Sequence, residues 1–271
     1  MNAPSFPISE GAHDLARLVE DMRVIVCVGS GGVGKTTTAA MLAMYGAYVG
    51  KRSLVITIDP ARRLANSLGL SGLLYEPRLV PVEVLAKAGL AGCAPLEAMM
   101  LDLRASWDDM VNRIGGNAEQ RAHILSNRFY RYLSQELPGA QEFIACEALY
   151  TLAEERGYDL VVLDTPPTQN ALDFLDAPSR ILGFLDLEAF QGLAKRTSEG
   201  KTARIGLRFL DGLTGAASAV LSRFTGHELL DELGDFLFLL RNLYEPLVYR
   251  TRQFEGLLRG PQTRFVVVTS P

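Results

Sequence analysis

Residues 26–40 read VCVGSGGVGKTTTAA, and this stretch decides the fold. On its amino side, RVIVCVG is a short β-branched apolar run ending in glycine, the pattern of a buried parallel strand. On its carboxyl side, KTTTAAMLAMYGAYVG reads as a helix rich in Ala and Met. Between them, Gly29-Ser30-Gly31-Gly32-Val33-Gly34-Lys35-Thr36 fits the spacing G-x-x-x-x-G-K-[ST]. Each part has a physical task. The glycines let the backbone curl so that several N–H groups face one anion. The helix starting near Lys35 adds its positive end. Lys35 can reach the β- and γ-phosphates of a nucleotide, and the Thr36 hydroxyl can bind Mg²⁺. A glycine-rich turn can match by chance, but a strand before and a helix after are the context that the phosphate reading requires.

Two further strands carry an acid at or near their carboxyl ends. RSLVITID ends in Asp59 and is stopped by Pro60; YDLVVLDTPP carries Asp164. A nucleoside triphosphatase needs a group to orient or deprotonate water and a carboxylate near Mg²⁺. Asp164 fits the second role, an acid at the end of an apolar strand. Either Asp could also be a plain turn former; a phosphate cradle in the same chain favours function for both. Pro60, Pro166 and Pro167 stiffen the segments that follow, and such loops can respond to loss of the γ-phosphate. Strands alternating with helices imply a parallel sheet covered on both faces, with sites at strand carboxyl ends. TRFVVVTSP reads as a last strand, and RLVPVEVL as a weaker one because of Pro81.

The totals exclude several classes. The chain has 271 residues, 48% of them hydrophobic, which is ample for a buried core. With 27 basic and 31 acidic residues the net charge is −4, so no basic excess points to nucleic acid. Cys27, Cys93 and Cys146 form no C-x-x-C pair, so neither a zinc knuckle nor a redox motif is supported. An odd cysteine count and a start without a signal peptide lead us to expect a cytoplasmic protein. No apolar run is long enough for a transmembrane helix.

From about Leu96 the pattern turns helical. PLEAMMLDLRASWDDMVNRI has apolar residues three and four apart, and QEFIACEALYTLAEERG reads as another helix ending at Gly157. Residues 172 to about 260 are again mostly helical, with an amphipathic stretch at 189–224 and a strongly apolar one at 227–260. These read as helices packed over the sheet. A second reading is a groove that holds an apolar client helix.

Four segments in order, GSGGVGKTTT, TIDPARRL, ELPGAQEFIACEAL and DTPPTQNAL, resemble the ArsA/Get family of deviant-Walker P-loop ATPases. The resemblance covers nearly all of residues 22–271. It implies an α/β fold: a parallel-sheet P-loop NTPase of the SIMIBI type with an inserted helical subdomain. We expect one ATPase domain over residues 1–271, shortened at its carboxyl end, with the helical subdomain at about 96–150 and 180–260. The family implies ATP and Mg²⁺ as cofactors. The nucleotide set would be Gly29, Ser30, Gly31, Gly32, Val33, Gly34, Lys35, Thr36 and Thr37. Asp59 would be the switch I residue that activates water, and Asp164 the switch II residue near Mg²⁺. The catalytic set is then Asp59, Lys35 and Asp164, and the metal set Thr36, Asp59 and Asp164. Family members act as dimers, for targeting of a membrane-protein client or for a membrane pump. Asn170 stands where relatives often have histidine.

One departure bears on mechanism. The lysine second in the family's cradle, which reaches the partner's phosphates across the dimer, is Ser30 here, and a serine cannot supply that charge. This opens an alternative: a nucleotide-binding regulatory subunit with little turnover, acting in a heterodimer with a lysine-bearing paralogue. Arg62 and Arg63, close after Asp59, are candidate substitutes for the missing charge. If the heterodimer alternative holds, steady-state ATP hydrolysis by the chain alone is low and rises when a lysine-bearing partner is added. Robust turnover alone, unchanged by Ser30→Lys, would reject it.

Overall fold

The structure is a computed structural model that describes residues 10–58, 63–70, 72, 75–136, 139–166, 175–180 and 228–269. The side chains of residues 10–13, 132–133, 135–136 and 228–242 lie outside that description. So does the amphipathic stretch at 189–224.

The chain divides into two compact units. The first comprises residues 1–102, 149–171 and 256–271. It is built on six strands: β1 (Val24–Val28), β2 (Ser53–Thr57), β3 (Arg78–Leu79), β4 (Leu96–Met100), β5 (Leu160–Asp164) and β6 (Thr263–Val267). Their order across the sheet is β3-β4-β2-β5-β1-β6. Strands β4, β2, β5, β1 and β6 run parallel, and β3 joins β4 antiparallel. β1, β2 and β5 are buried at every residue, which is why they read as unbroken apolar runs.

Helix α1 (Glu10–Asp21) and helix α2 (Lys35–Tyr48) flank β1 in sequence. Val19 of α1 and Ala39, Ala40, Leu42, Ala43 and Ala47 of α2 share one apolar cluster with Ile25, Cys27, Val55, Leu160 and Val162. The small side chains of α2 let its backbone lie close to the sheet. A Cβ on Gly46 would run into the Leu160 side chain and stand 2.6 Å from Ser53 Oγ. The end of α1 is held from outside: Lys51 Nζ donates to the carbonyls of Val19 and Met22, both at 2.8 Å. A cation there satisfies orphan carbonyls and complements the helix dipole. Helices α3 (Arg63–Ser67) and α4 (Val82–Lys87) complete the first half of this unit.

Two local expectations are corrected. Leu96–Met100 is a strand, not the start of a helix, and the helix α5 begins only at Leu103. Its apolar residues fit either period; pairing with β2 in register from Ser53↔Leu96 to Thr57↔Met100 settles it as strand. The RLVPVEVL segment forms only the two-residue β3, and after Pro81 the chain turns helical as α4. Pro81 occupies the N-cap, where its missing N–H costs nothing.

The second unit comprises residues 103–148 and 172–255. Its described helices include α5 (Leu103–Ile114), α6 (Ala118–Ser126) and α7 (Arg128–Glu136). Asn117 and Gln120 form a reciprocal cap at the start of α6, with bonds of 2.9 and 3.1 Å. Helices α8 (Ala140–Glu155) and α9 (Glu228–Arg259) contribute residues to both units. Within the second unit Phe143 of α8 stacks on Trp107, with centroids 5.4 Å apart, and meets Phe254 edge-on at 5.2 Å. Buried Glu147 accepts a hydrogen bond from Arg250 Nε at 2.9 Å. Among the described residues no helix is long and apolar enough to cross a membrane.

The close approach of α2 to the sheet gives a direct test. Gly46→Ala is expected to lower unfolding free energy by about 1–3 kcal/mol, the usual cost of overpacking a core. Denaturant unfolding of the two proteins measures it.

Candidate functional site

The cradle leaves the carboxyl end of β1 and closes on the start of α2. Gly29 has φ 148° and lies against the backbone of Val268, so that any Cβ would collide with the Val268 carbonyl. The strand pairing that enforces this approach is continued by Val268 N–H donating to the Val28 carbonyl at 2.8 Å. Gly34 has φ 98° in the left-handed region and occupies the N-cap of α2. No side chain caps this helix. The first turn of α2 therefore offers N–H groups and a positive dipole end to an anion.

Lys35 is only 7% exposed, so its ammonium needs a partner. It finds one by folding back on its own loop, with Nζ donating to the Ser30 carbonyl at 2.7 Å. Ser30 contributes its backbone to this bond, so its identity as serine is not what holds Lys35. The Ser30, Gly31, Gly32, Gly34 and Thr37 positions are exposed, while Gly29, Val33 and Thr36 are half-buried.

Asp164 comes to the same edge through sheet register. β5 lies between β1 and β2, and Asp164 pairs with Cys27 on one side and Thr57 on the other. Asp164 Oδ2 accepts two hydroxyl hydrogen bonds, from Thr36 at 2.8 Å and from Thr57 at 3.1 Å. Thr165 turns back across the sheet, its hydroxyl donating to the Cys27 carbonyl at 2.8 Å. The structure thus brings together Lys35, Thr36 and Asp164. Asp59, Arg62, Asn170 and the rest of 167–174 lie outside the described residues. Thr57 and Thr165 were not foreseen. Their one sequence signal is a hydroxyl at the carboxyl end of an otherwise aliphatic strand.

The residues present fit a magnesium nucleotide. The cradle is built of backbone N–H groups with no side-chain cap competing for them. Thr36 gives its proton to Asp164, which leaves the oxygen lone pairs for a cation. Among the described residues no cluster of three His, Cys, Asp or Glu side chains forms a separate metal site.

Beneath the cradle, burial and then the nearby Asp164 charge push the Cys27 thiol up from 9.0 to about 12. A raised thiol pKa contributes stability below the ordinary value, lost as pH rises toward 12. Cys27 and Cys146 are buried and Cys93 is half-buried.

The family profile described as "Anion-transporting ATPase" matches residues 22–201. A Halobacterium salinarum protein named as an arsenical pump-driving ATPase is 31% identical over 191 residues, 68% of this chain and 28% of that protein. The ATPase GET3 of Malassezia globosa is 33% identical over 160 residues, 59% of this chain and 44% of its own length. The ATPase get3 of Aspergillus terreus is 33% identical over 161 residues, covering 58% and 44%. The chain thus spans less than half the length of these relatives.

The thiol prediction is direct. In the native chain at pH 8.5, Cys27 is expected to react with iodoacetamide at least about tenfold more slowly than in the denatured chain. Mass spectrometry of labelled peptides over time measures the ratio; equal rates would contradict the burial of Cys27.

Proposed function

Because the chain belongs to the anion-transporting ATPase family, we propose that it binds ATP with Mg²⁺ and hydrolyses it. The observation that carries this reading is the 2.8 Å hydrogen bond from Thr36, at the start of α2, to Asp164, at the end of β5. It joins the P-loop hydroxyl to a strand-end carboxylate, the pair that a magnesium-dependent phosphoryl-transfer site needs.

In this reading the backbone N–H groups of residues 29–37 hold the phosphates by hydrogen bonds. Lys35 exchanges its bond to the Ser30 carbonyl for phosphate oxygens and stabilises the charge that develops on them. Thr36, Asp164 and Asp59 would hold Mg²⁺, which when bound would neutralise phosphate charge. Asp59 orients a water molecule and accepts its proton. Thr165, tied to β1 through the Cys27 carbonyl, fixes where the chain leaves Asp164.

We propose further that the nucleotide cycle drives conformational change in a dimer with a related ATPase. The name of the Halobacterium salinarum relative favours a pump as partner; the sequence resemblance equally suggests a membrane-protein client. The helical subdomain would carry the response. With Ser30 in place of the family lysine, a heterodimer with a lysine-bearing paralogue is the second reading. A net charge of −4 speaks against nucleic acid, and an odd count of three cysteines suits the cytoplasm.

Asp59→Asn is expected to keep ATP binding while lowering kcat by about 10²-fold or more. Lys35→Ala is expected to lose nucleotide binding. Calorimetry with ATP and a phosphate-release assay on the full chain measure both. Normal turnover in Asp59→Asn would remove the proposed base, and unchanged binding in Lys35→Ala would remove the cradle.

A further inference from the structure

We propose that Thr57 is a positioning residue for the Mg²⁺ site, acting through Asp164. The inference rests on the nucleotide reading above and adds a residue to it. Both side chains are buried, Thr57 at 2% and Asp164 at 1% exposed. A buried carboxylate depends on its hydrogen bonds for both charge and orientation. The two hydroxyls that meet Asp164 Oδ2 have different standing. Thr36 sits on α2, in the cradle that receives the phosphates, and its own oxygen is a proposed metal ligand. Thr57 sits in the sheet itself, directly in register with Asp164.

The backbone around Thr57 is fixed from both neighbouring strands. Its carbonyl accepts from Leu101 N–H at 2.8 Å, and the next residue, Ile58, donates to the Asp164 carbonyl at 3.4 Å. As a β-branched side chain in a strand, Thr57 is also stiff about χ1. Its hydroxyl is therefore a rigid donor. By bonding Oδ2 at 3.1 Å it holds the carboxylate where Thr36 can donate to the same oxygen at 2.8 Å. Thr36 then presents its lone pairs, rather than its proton, to the cation. Asp59 follows Thr57 by two residues in sequence, so the same strand end leads into the proposed switch I segment.

The test is the Mg²⁺ dependence of ADP affinity in the full chain, by calorimetry with MgCl₂ and with EDTA. The wild type is expected to bind ADP more tightly with Mg²⁺. Thr57→Val keeps the β-branched shape and removes the hydroxyl. It is expected to cut the Mg²⁺ enhancement about tenfold, the scale of one hydrogen bond to a charged group, and to leave metal-free ADP affinity within about twofold. Thr57→Ser is expected to restore the enhancement. If the valine variant fails to fold, the Thr57→Ser and Thr57→Ala pair makes the same comparison without the methyl group. Full enhancement in Thr57→Val, or in Thr57→Ala alongside Thr57→Ser, overturns the inference. So does a fall in both affinities together, which marks a packing defect. A wild type that binds no ADP in either condition overturns the nucleotide reading and this inference with it. A wild type with normal enhancement matched by its hydroxyl-free variants overturns this inference alone.

Discussion

The placement of β5 between β1 and β2 is the constraint on which the site depends. Parallel strands paired in register put their carboxyl ends at one level. Cys27, Asp164 and Thr57 are therefore neighbours across three strands, although Thr57 and Asp164 are 107 residues apart in sequence. The cradle begins two residues after Cys27, so it must rise from the same edge as Asp164. The bond from Thr36 to Asp164 then needs no special device; strand order and register already bring helix start and carboxylate together.

The same constraint explains where tight packing is found. Two of the glycines without room for a Cβ pack against this sheet. Gly29 lies against Val268, which continues the pairing of β6 with β1, and Gly46 lies against Leu160 and Ser53. The first keeps the cradle entry next to the sheet edge. The second lets α2 lie close enough for its first turn to stand over the strand ends. Sheet packing and site geometry are thus linked through α2, which is both a core helix and the lower wall of the cradle.

Much of this was legible in the sequence. The β-branched runs of β1, β2 and β5 are buried on both faces, so their apolar character is continuous and their boundaries plain. The G-x-x-x-x-G-K-[ST] spacing fixes local backbone geometry through glycine alone, which is why Gly34 and Lys35 could be assigned to a helix start without coordinates. The failures have a physical cause too. Leu96–Met100 carries apolar residues that suit a strand or a helix, and the choice fell to hydrogen bonds from β2, more than 40 residues away. In RLVPVEVL, Pro81 reads locally as a weak point in a strand, and it is the N-cap of α4.

The sequence by itself determined the family and the cradle spacing, because these rest on residue type and local spacing. Only the tertiary structure decided which groups meet. That Thr57 joins Thr36 on a single oxygen of Asp164, and that Thr165 ties the chain after Asp164 to Cys27, follows from strand order. Strand order is set by burial of whole faces and by long-range pairing, and no local pattern encodes it. Ser30 shows the same division: its carbonyl holds Lys35, a role that belongs to the backbone and that any residue at that position could fill.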